Sequence, residues 1–239
     1  MKLTIIQAGE VPEALRPRFG PYAPMFARMF AEAGAAYDYD VMRVSEGEPF
    51  PDPARLEAIL IPGSAAGVYD DHLPWMAPLR DFIRRAYAVK TPMVGICFGH
   101  QIMADALGGD VRKSDKGWGL GRHRYAVRGN TGRFAVPADA FAVACSHQDQ
   151  VITAPRDAEV ILASDFTPNA GLFYGNGAAL SFQPHPEFED PYAIALAELR
   201  RGRAPDQVVD AAIGSMADPS DSPALARTIA TFFANASPK

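Results

Sequence analysis

The sequence predicts an α/β fold in three layers, its mainly parallel sheet extended by antiparallel strands. Three observations point there. In the first half, short and uniformly apolar runs alternate with amphipathic stretches; the second half turns to closely spaced short strands; helical periodicity returns at the end. Buried runs separated by helices are the mark of a parallel sheet covered on both faces.

Leu3 to Ala8 reads as the first buried strand. It does not read as a signal peptide, because only Lys2 precedes the run Leu3-Thr4-Ile5-Ile6 before Gln7 interrupts it. Pro21 to Ala33 reads as a helix with Met25, Phe26, Met29 and Phe30 on one side. Strands follow at Tyr37 to Val44 and Ala58 to Ile61, then a helix from Trp75 to Val89. Met93 to Cys97 is another buried strand, and His100 to Leu107 the helix after it. Gly119 to Arg128, Phe141 to Cys145, Val160 to Ala163, Gly171 to Tyr174 and Ala179 to Phe182 read as the short strands of the second half. Two helices, Tyr192 to Arg201 and Ala224 to Phe233, form a tail over 191–239, with a loop and helix-start signal at Asp218 to Pro223 between them. The expected architecture is flavodoxin-like, in a single domain over 1–239.

Composition narrows the function. Apolar residues make up 48% and charged residues 21% of the 239, which excludes disorder, collagen and coiled coil. With 23 Lys and Arg against 28 Asp and Glu, the net charge of −5 gives no footprint for nucleic acid or an anionic membrane. No apolar stretch approaches the ~20 residues a membrane span needs. Two cysteines, Cys97 and Cys145, cannot make a disulfide scaffold, so a soluble protein of the reducing cytoplasm is expected.

Met93 to Gln101 contains Gly95-Ile96-Cys97-Phe98-Gly99, a Gly-x-Cys-x-Gly where a buried strand meets a helix. This is the cysteine counterpart of a nucleophile elbow. Flanking glycines remove side chains that would collide as the chain reverses. A helix starting after Cys97 would favour its thiolate and aim the Phe98 N–H at an oxyanion formed on an attacked carbonyl. The same residues also suit a buried structural cysteine beside a tight turn.

A second segment, Ser181-Phe182-Gln183-Pro184-His185-Pro186-Glu187-Phe188, follows an apolar strand. Prolines on both sides stiffen the position of His185. In extended backbone, His185 and Glu187 point to the same side, where a carboxylate can fix the imidazole tautomer and support its cation. A solvated loop histidine is the alternative. No His-Glu-x-x-His or paired Cys-x-x-Cys suggests a metal, and neither Gly-x-Gly-x-x-Gly nor Gly-Lys-Ser/Thr suggests a nucleotide. Cys145 reads as packing and His100 as structural, while His72 and His123 receive no chemistry.

Together, Gly95-Ile96-Cys97-Phe98-Gly99-His100-Gln101 and Gln183-Pro184-His185-Pro186-Glu187 resemble the class I glutamine amidotransferase family. The likeness is to a stand-alone glutaminase-type domain such as the amidotransferase part of GMP synthetase. Leu60-Ile61-Pro62-Gly63-Ser64 resembles the family's oxyanion loop, and Ser146-His147-Gln148-Asp149 its substrate-flanking segment. Lys116-Gly117-Trp118-Gly119 resembles a glycine-rich turn of stand-alone members. The matches run in family order from about Leu3 to Phe188. Departures are Gly63-Ser64-Ala65 where many members have Gly-Gly-Pro, Ser181 for a glycine and Pro184 for a phenylalanine.

The resemblance implies a Cys97-His185-Glu187 triad that hydrolyses a γ-glutamyl amide through a thioester. It further implies an oxyanion hole from the N–H groups of Gly63 and Phe98, and substrate contacts from Gln101, Ser146, His147 and Gln148. It requires no metal or organic cofactor. A small glutamyl molecule is the expected substrate, with an ammonia-accepting synthetase or self-association as possible partnerships. Glutamine hydrolysis, γ-glutamyl peptide hydrolysis and a non-catalytic binding role remain the three readings.

Overall fold

The computed structural model describes residues 1–129 and 138–236. In chain order its strands are β1 (Lys2–Gln7), β2 (Asp38–Arg43), β3 (Ala58–Ile61), β4 (Met93–Ile96), β5 (Asp110–Lys113), β6 (Gly119–Val127), β7 (Ala140–His147), β8 (Asp149–Thr153), β9 (Ala158–Ala163), β10 (Gly171–Tyr174) and β11 (Ala179–Phe182). Its helices are α1 (Arg16–Phe19), α2 (Tyr22–Glu32), α3 (Met76–Ala88), α4 (Phe98–Ala106), α5 (Asp190–Glu198), α6 (Asp206–Ser215) and α7 (Ser222–Ala236).

The main sheet has the order β2-β1-β3-β4-β11-β10-β9-β6-β7. From β2 to β11 every pairing is parallel, and from β11 to β7 every pairing is antiparallel. The mainly parallel sheet with an antiparallel extension is therefore present. Strand β11 is the hinge of the design, belonging to both regimes.

Period-two alternation divides the core into two layers. Leu3, Ile5, Leu60, Val94 and Ile96 pack with α2, α5 and α7, through Phe26, Phe30, Leu196, Ile229 and Phe233. Ile6, Ile59, Ile61 and Met93 face the other way, toward Leu79, Phe82 and Ile83 of α3 and Ile102 and Met103 of α4. Strands buried on both faces have no polar side to show, which is why β3 and β4 are uniformly apolar.

Four elements lie where the sequence suggested none. α1 is a single short turn, and β5 and β8 pair in their own two-stranded sheet, with Arg112 and Lys113 exposed. α6 makes the tail three helices rather than two. Only Val209 and Ala212 of α6 are buried, so its apolar signal is thin; packing against Leu120 of β6 holds it. The helix after Cys97 starts at Phe98, two residues earlier than expected. α5 and α7 lie against the sheet, and Arg122 of β6, almost wholly buried, ties to Asp190 of α5 at 2.6 Å. Residues 237–239 of the predicted tail lie outside the described residues. Among the described residues, no helix is long and apolar enough to cross a membrane.

Candidate active site

Parallel strands deliver their loops to one edge. β3 ends before Gly63, β4 before Cys97 and β11 before Gln183 and His185. Along the antiparallel extension direction reverses at each step, so β7 also runs toward this edge and ends at His147. The expected site segments therefore converge at the carboxyl edge of the sheet.

Cys97 sits on the turn between β4 and α4 with φ 52° and ψ −102°. Such a conformation costs a non-glycine residue roughly 1–3 kcal/mol and persists only where neighbours over-determine it. Here they do. The Cys97 N–H donates to Phe182 O at 2.8 Å, the Cys97 carbonyl accepts from Gln101 N at 3.0 Å, and Gly99 N donates to Pro62 O at 3.1 Å. The two glycines are steric necessities. A Cβ on Gly99 would stand 1.9 Å from Ile61 O, and one on Gly95 would stand 2.5 Å from the Gly99 carbonyl.

His185 is buried, and its backbone N–H donates to Ala144 O at 2.8 Å, fastening the loop to β7. Its Nδ1 meets Glu187 Oε1 at 2.7 Å, and Phe188 stacks on the ring at 3.8 Å between centroids. The other side of the ring looks toward Gly63 and Cys97. A Cβ on Gly63 would come 3.1 Å from His185 Cε1 and 3.8 Å from Cys97 Cβ, so a side chain at 63 would press on the imidazole. Burial alone would pull His185 down, but the Glu187 carboxylate and then the Cys97 sulfur outweigh it and hold the imidazolium well above its ordinary range.

The Phe98 N–H belongs to the first turn of α4, where N–H groups have no acceptor inside the helix. Gln101 Nε2 donates to Asp149 O at 2.9 Å and to Gln183 Oε1 at 3.2 Å. Gln183 Nε2 in turn lies 3.5 Å from Cys97 Sγ. No role was assigned to Gln183 from the sequence, although it stands within the motif; its contact to sulfur spans 86 positions.

Two cavities meet at Cys97. One, of about 570 Å³, is lined by Gln101, Ser146, His147 and Gln148 together with Tyr69 and Asp149. The other, of about 360 Å³, is lined by Gly63, His185 and Phe188. Gly63, Gln101, Ser146, His147, Gln148 and His185 thus line cavities that Cys97 shares, while Glu187 stands behind His185 and Phe98 follows Cys97 at the start of α4. His147 hydrogen-bonds Asp149 O at 3.0 Å, and burial lowers its pKa to about 3, with His123 adding to the effect. A ring so weakly basic suits a lining role better than that of a general base. Cys145 is buried away from the cavities, and burial pushes its thiol up to about 12. His100 is buried on α4 with Nδ1 2.8 Å from Ser181 Oγ. Among the described residues, no three His, Cys, Asp or Glu side chains gather to hold a metal.

The model of the family "Glutamine amidotransferase class-I" matches residues 23–191. The chain belongs to that family. As a class I amidotransferase-family chain, it is 31% identical over 186 residues to γ-glutamyl peptidase 3 of Arabidopsis thaliana, covering 74% of this chain and 72% of that protein. It is 30% identical over 172 residues to the GMP synthase (glutamine-hydrolyzing) of Aquifex aeolicus, covering 70% of this chain but 31% of the synthase. The crystal structure of a glutamine amidotransferase from Methylobacillus flagellatus superposes with a TM-score of 0.77 at 20% identity, over 100% of this chain and 96% of that one. At that identity the likeness bears on the fold.

Proposed function

We propose that this amidotransferase-family chain hydrolyses a γ-glutamyl amide bond through Cys97, His185 and Glu187. One observation carries the reading: His185 is held between Glu187 and the Cys97 sulfur, at an elbow whose helix begins with the Phe98 N–H. The Cys97 thiolate attacks the γ-carbonyl, forming the S–C bond, while the N–H groups of Gly63 and Phe98 receive the oxyanion. Collapse breaks the C–N bond, and the His185 imidazolium gives its proton to the leaving amine. Neutral His185 then takes a proton from water, which attacks the thioester and displaces the sulfur. One water is consumed, and glutamate and an amine are released. Glu187 keeps the ring in one tautomer and balances its positive form. Gln101 and the segment Ser146 to Gln148 would hold the amino-acid end in the larger cavity.

Release of ammonia from glutamine and cleavage of a γ-glutamyl peptide use the same steps. The similarity to a γ-glutamyl peptidase over nearly three quarters of the chain favours including the second. The test is glutamate release from glutamine, glutathione and γ-glutamyl dipeptides by the isolated chain and by Cys97→Ala. Activity on at least one substrate, lost by several orders of magnitude in the variant, is the expected result. Near-normal turnover by Cys97→Ala would overturn the triad. Silence of the isolated chain, relieved by adding a synthetase from the same cell, would instead make it a dedicated ammonia donor.

A further inference from the structure

Arg200 and Arg203 follow α5, beyond residue 191 where the family match ends, yet both line both cavities at Cys97. Neither belongs to a motif that the sequence brought forward. Their neighbour Arg201 behaves as a surface arginine does, paired with Glu198 at 2.7 Å and Asp210 at 2.6 Å. Arg200 and Arg203 form no ion pair with a carboxylate among the described residues. Arg200 is half-buried, its Nε is buried without a partner, and its guanidinium lies 4.8 Å over the Trp118 ring. Stacking fixes the plane of the fork and leaves its N–H donors to be satisfied by something else. Burial lowers the pKa of Arg200, with Tyr22 opposing and the second cation, Arg203, adding to the effect.

The smaller cavity is the side on which His185 stands, and a leaving amine must depart where His185 can protonate it. Ammonia needs about the 30 Å³ that a water molecule occupies in the liquid. The cavity offers about 360 Å³, walled by Phe188, Leu196 and Leu199, with Arg200 and Arg203 beside them. Glu10 and Glu13 also line it, and Glu10 is engaged by Gln7 Nε2. Apolar walls with two guanidinium groups that make no ion pair with either carboxylate suit an amino-acid side chain and its carboxylate.

Resting on the γ-glutamyl hydrolase reading, we infer that Arg200 and Arg203 form a leaving-group subsite that takes the carboxylate of the amino acid or short peptide released from the γ-glutamyl group. They are specificity residues; the bond-breaking steps belong to the triad. The substrate class is then γ-glutamyl peptides with a free C-terminal carboxylate, in preference to glutamine.

The test compares γ-glutamyl-alanine with γ-glutamyl-alanine amide, which differ at that carboxylate alone. The full chain is expected to show about tenfold or higher kcat/KM for the free acid, the scale of a hydrogen bond between charged groups. In Arg203→Gln the preference falls, and in Arg200→Gln/Arg203→Gln it approaches parity. Because Arg200 is half-buried, exposed Arg203 is also changed alone, so that loss of fold cannot pass for loss of recognition. Calorimetric binding of the two dipeptides to Cys97→Ala, with and without the arginine changes, should give the same ordering without turnover. Cleavage of both dipeptides at equal efficiency, or a preference surviving in the double variant, would sink the subsite and leave the hydrolase reading standing. No cleavage and no binding of any γ-glutamyl compound would overturn both.

Discussion

His185 and Glu187 are two positions apart, and they meet at 2.7 Å not along the extended backbone the sequence suggested but across a turn in which the Phe188 N–H donates to His185 O at 3.3 Å. The nearness of imidazole and carboxylate was legible in the sequence all the same, because two residues that close in the chain stay close in space. The elbow glycines were legible too, since steric need at a reversal has one common answer. Gln183, Arg200 and Arg203 were not: Gln183 stands in the motif without any local sign of its contact to a sulfur 86 positions away, and Arg200 and Arg203 reach the cavities at Cys97 from more than a hundred positions along the chain. The proposed mechanism gives unequal roles to the histidine and the carboxylate. His185→Ala removes the proton carrier and is expected to lower kcat by roughly 10²–10⁴-fold. Glu187→Gln keeps shape and a polar contact but loses the charge behind the imidazolium, so its loss is smaller. Steady-state rates of the two purified variants decide it. A milder effect from His185→Ala would mean the base is another residue, with His147 the next to be tested.

At the scale of elements, the unit of construction is β4, the turn at Cys97 and α4, held under β3. The same substitution at two glycines should act with opposite signs. Gly99→Ala drives a Cβ onto Ile61 O and must separate β3 from α4, costing about 3 kcal/mol and displacing the sulfur. Gly214→Ala, in α6 with open space around it, should instead raise stability by up to about 1 kcal/mol through helix propensity. Urea midpoints of the two variants against the parent are the measurement. Uniform burial made β1, β3, β4 and β11 readable from apolar runs. β5 and β8 escaped because they carry polar edges and pair with each other across 35 or more residues, and α6 because only two of its side chains enter a core.

Across the whole molecule, buried histidines set opposite pH limits. Burial lowers His100 and His147 to about 3, against an unfolded value near 6.5. Between those values the unfolded chain binds the extra protons, so stability rises with pH and is lost as pH falls below about 6.5. His185 is raised, so its contribution is complete below about 6.5 and is lost as pH rises through its folded value. Denaturation between pH 6.5 and 4.5 should show the acid loss. His100→Gln should reduce that slope by about 1.4 kcal/mol per pH unit, one proton's worth. An unchanged slope would show that His100 is not held neutral.

The position of β11 has a consequence in time. It lies between β4 and β10 in space but follows β4 in the chain by more than eighty residues. A ribosome that has released β1 to α4 has therefore left β4 as an open edge of an apolar sheet, and Cys97 still lacks the Phe182 carbonyl that anchors its turn. Such long-range closure slows folding and leaves the nascent chain dependent on protection of that edge. It also acts as an interlock: β11 and the His185 loop that follows it reach Cys97 in the same event that seals the sheet, so a half-made chain carries the cysteine without the histidine beside it.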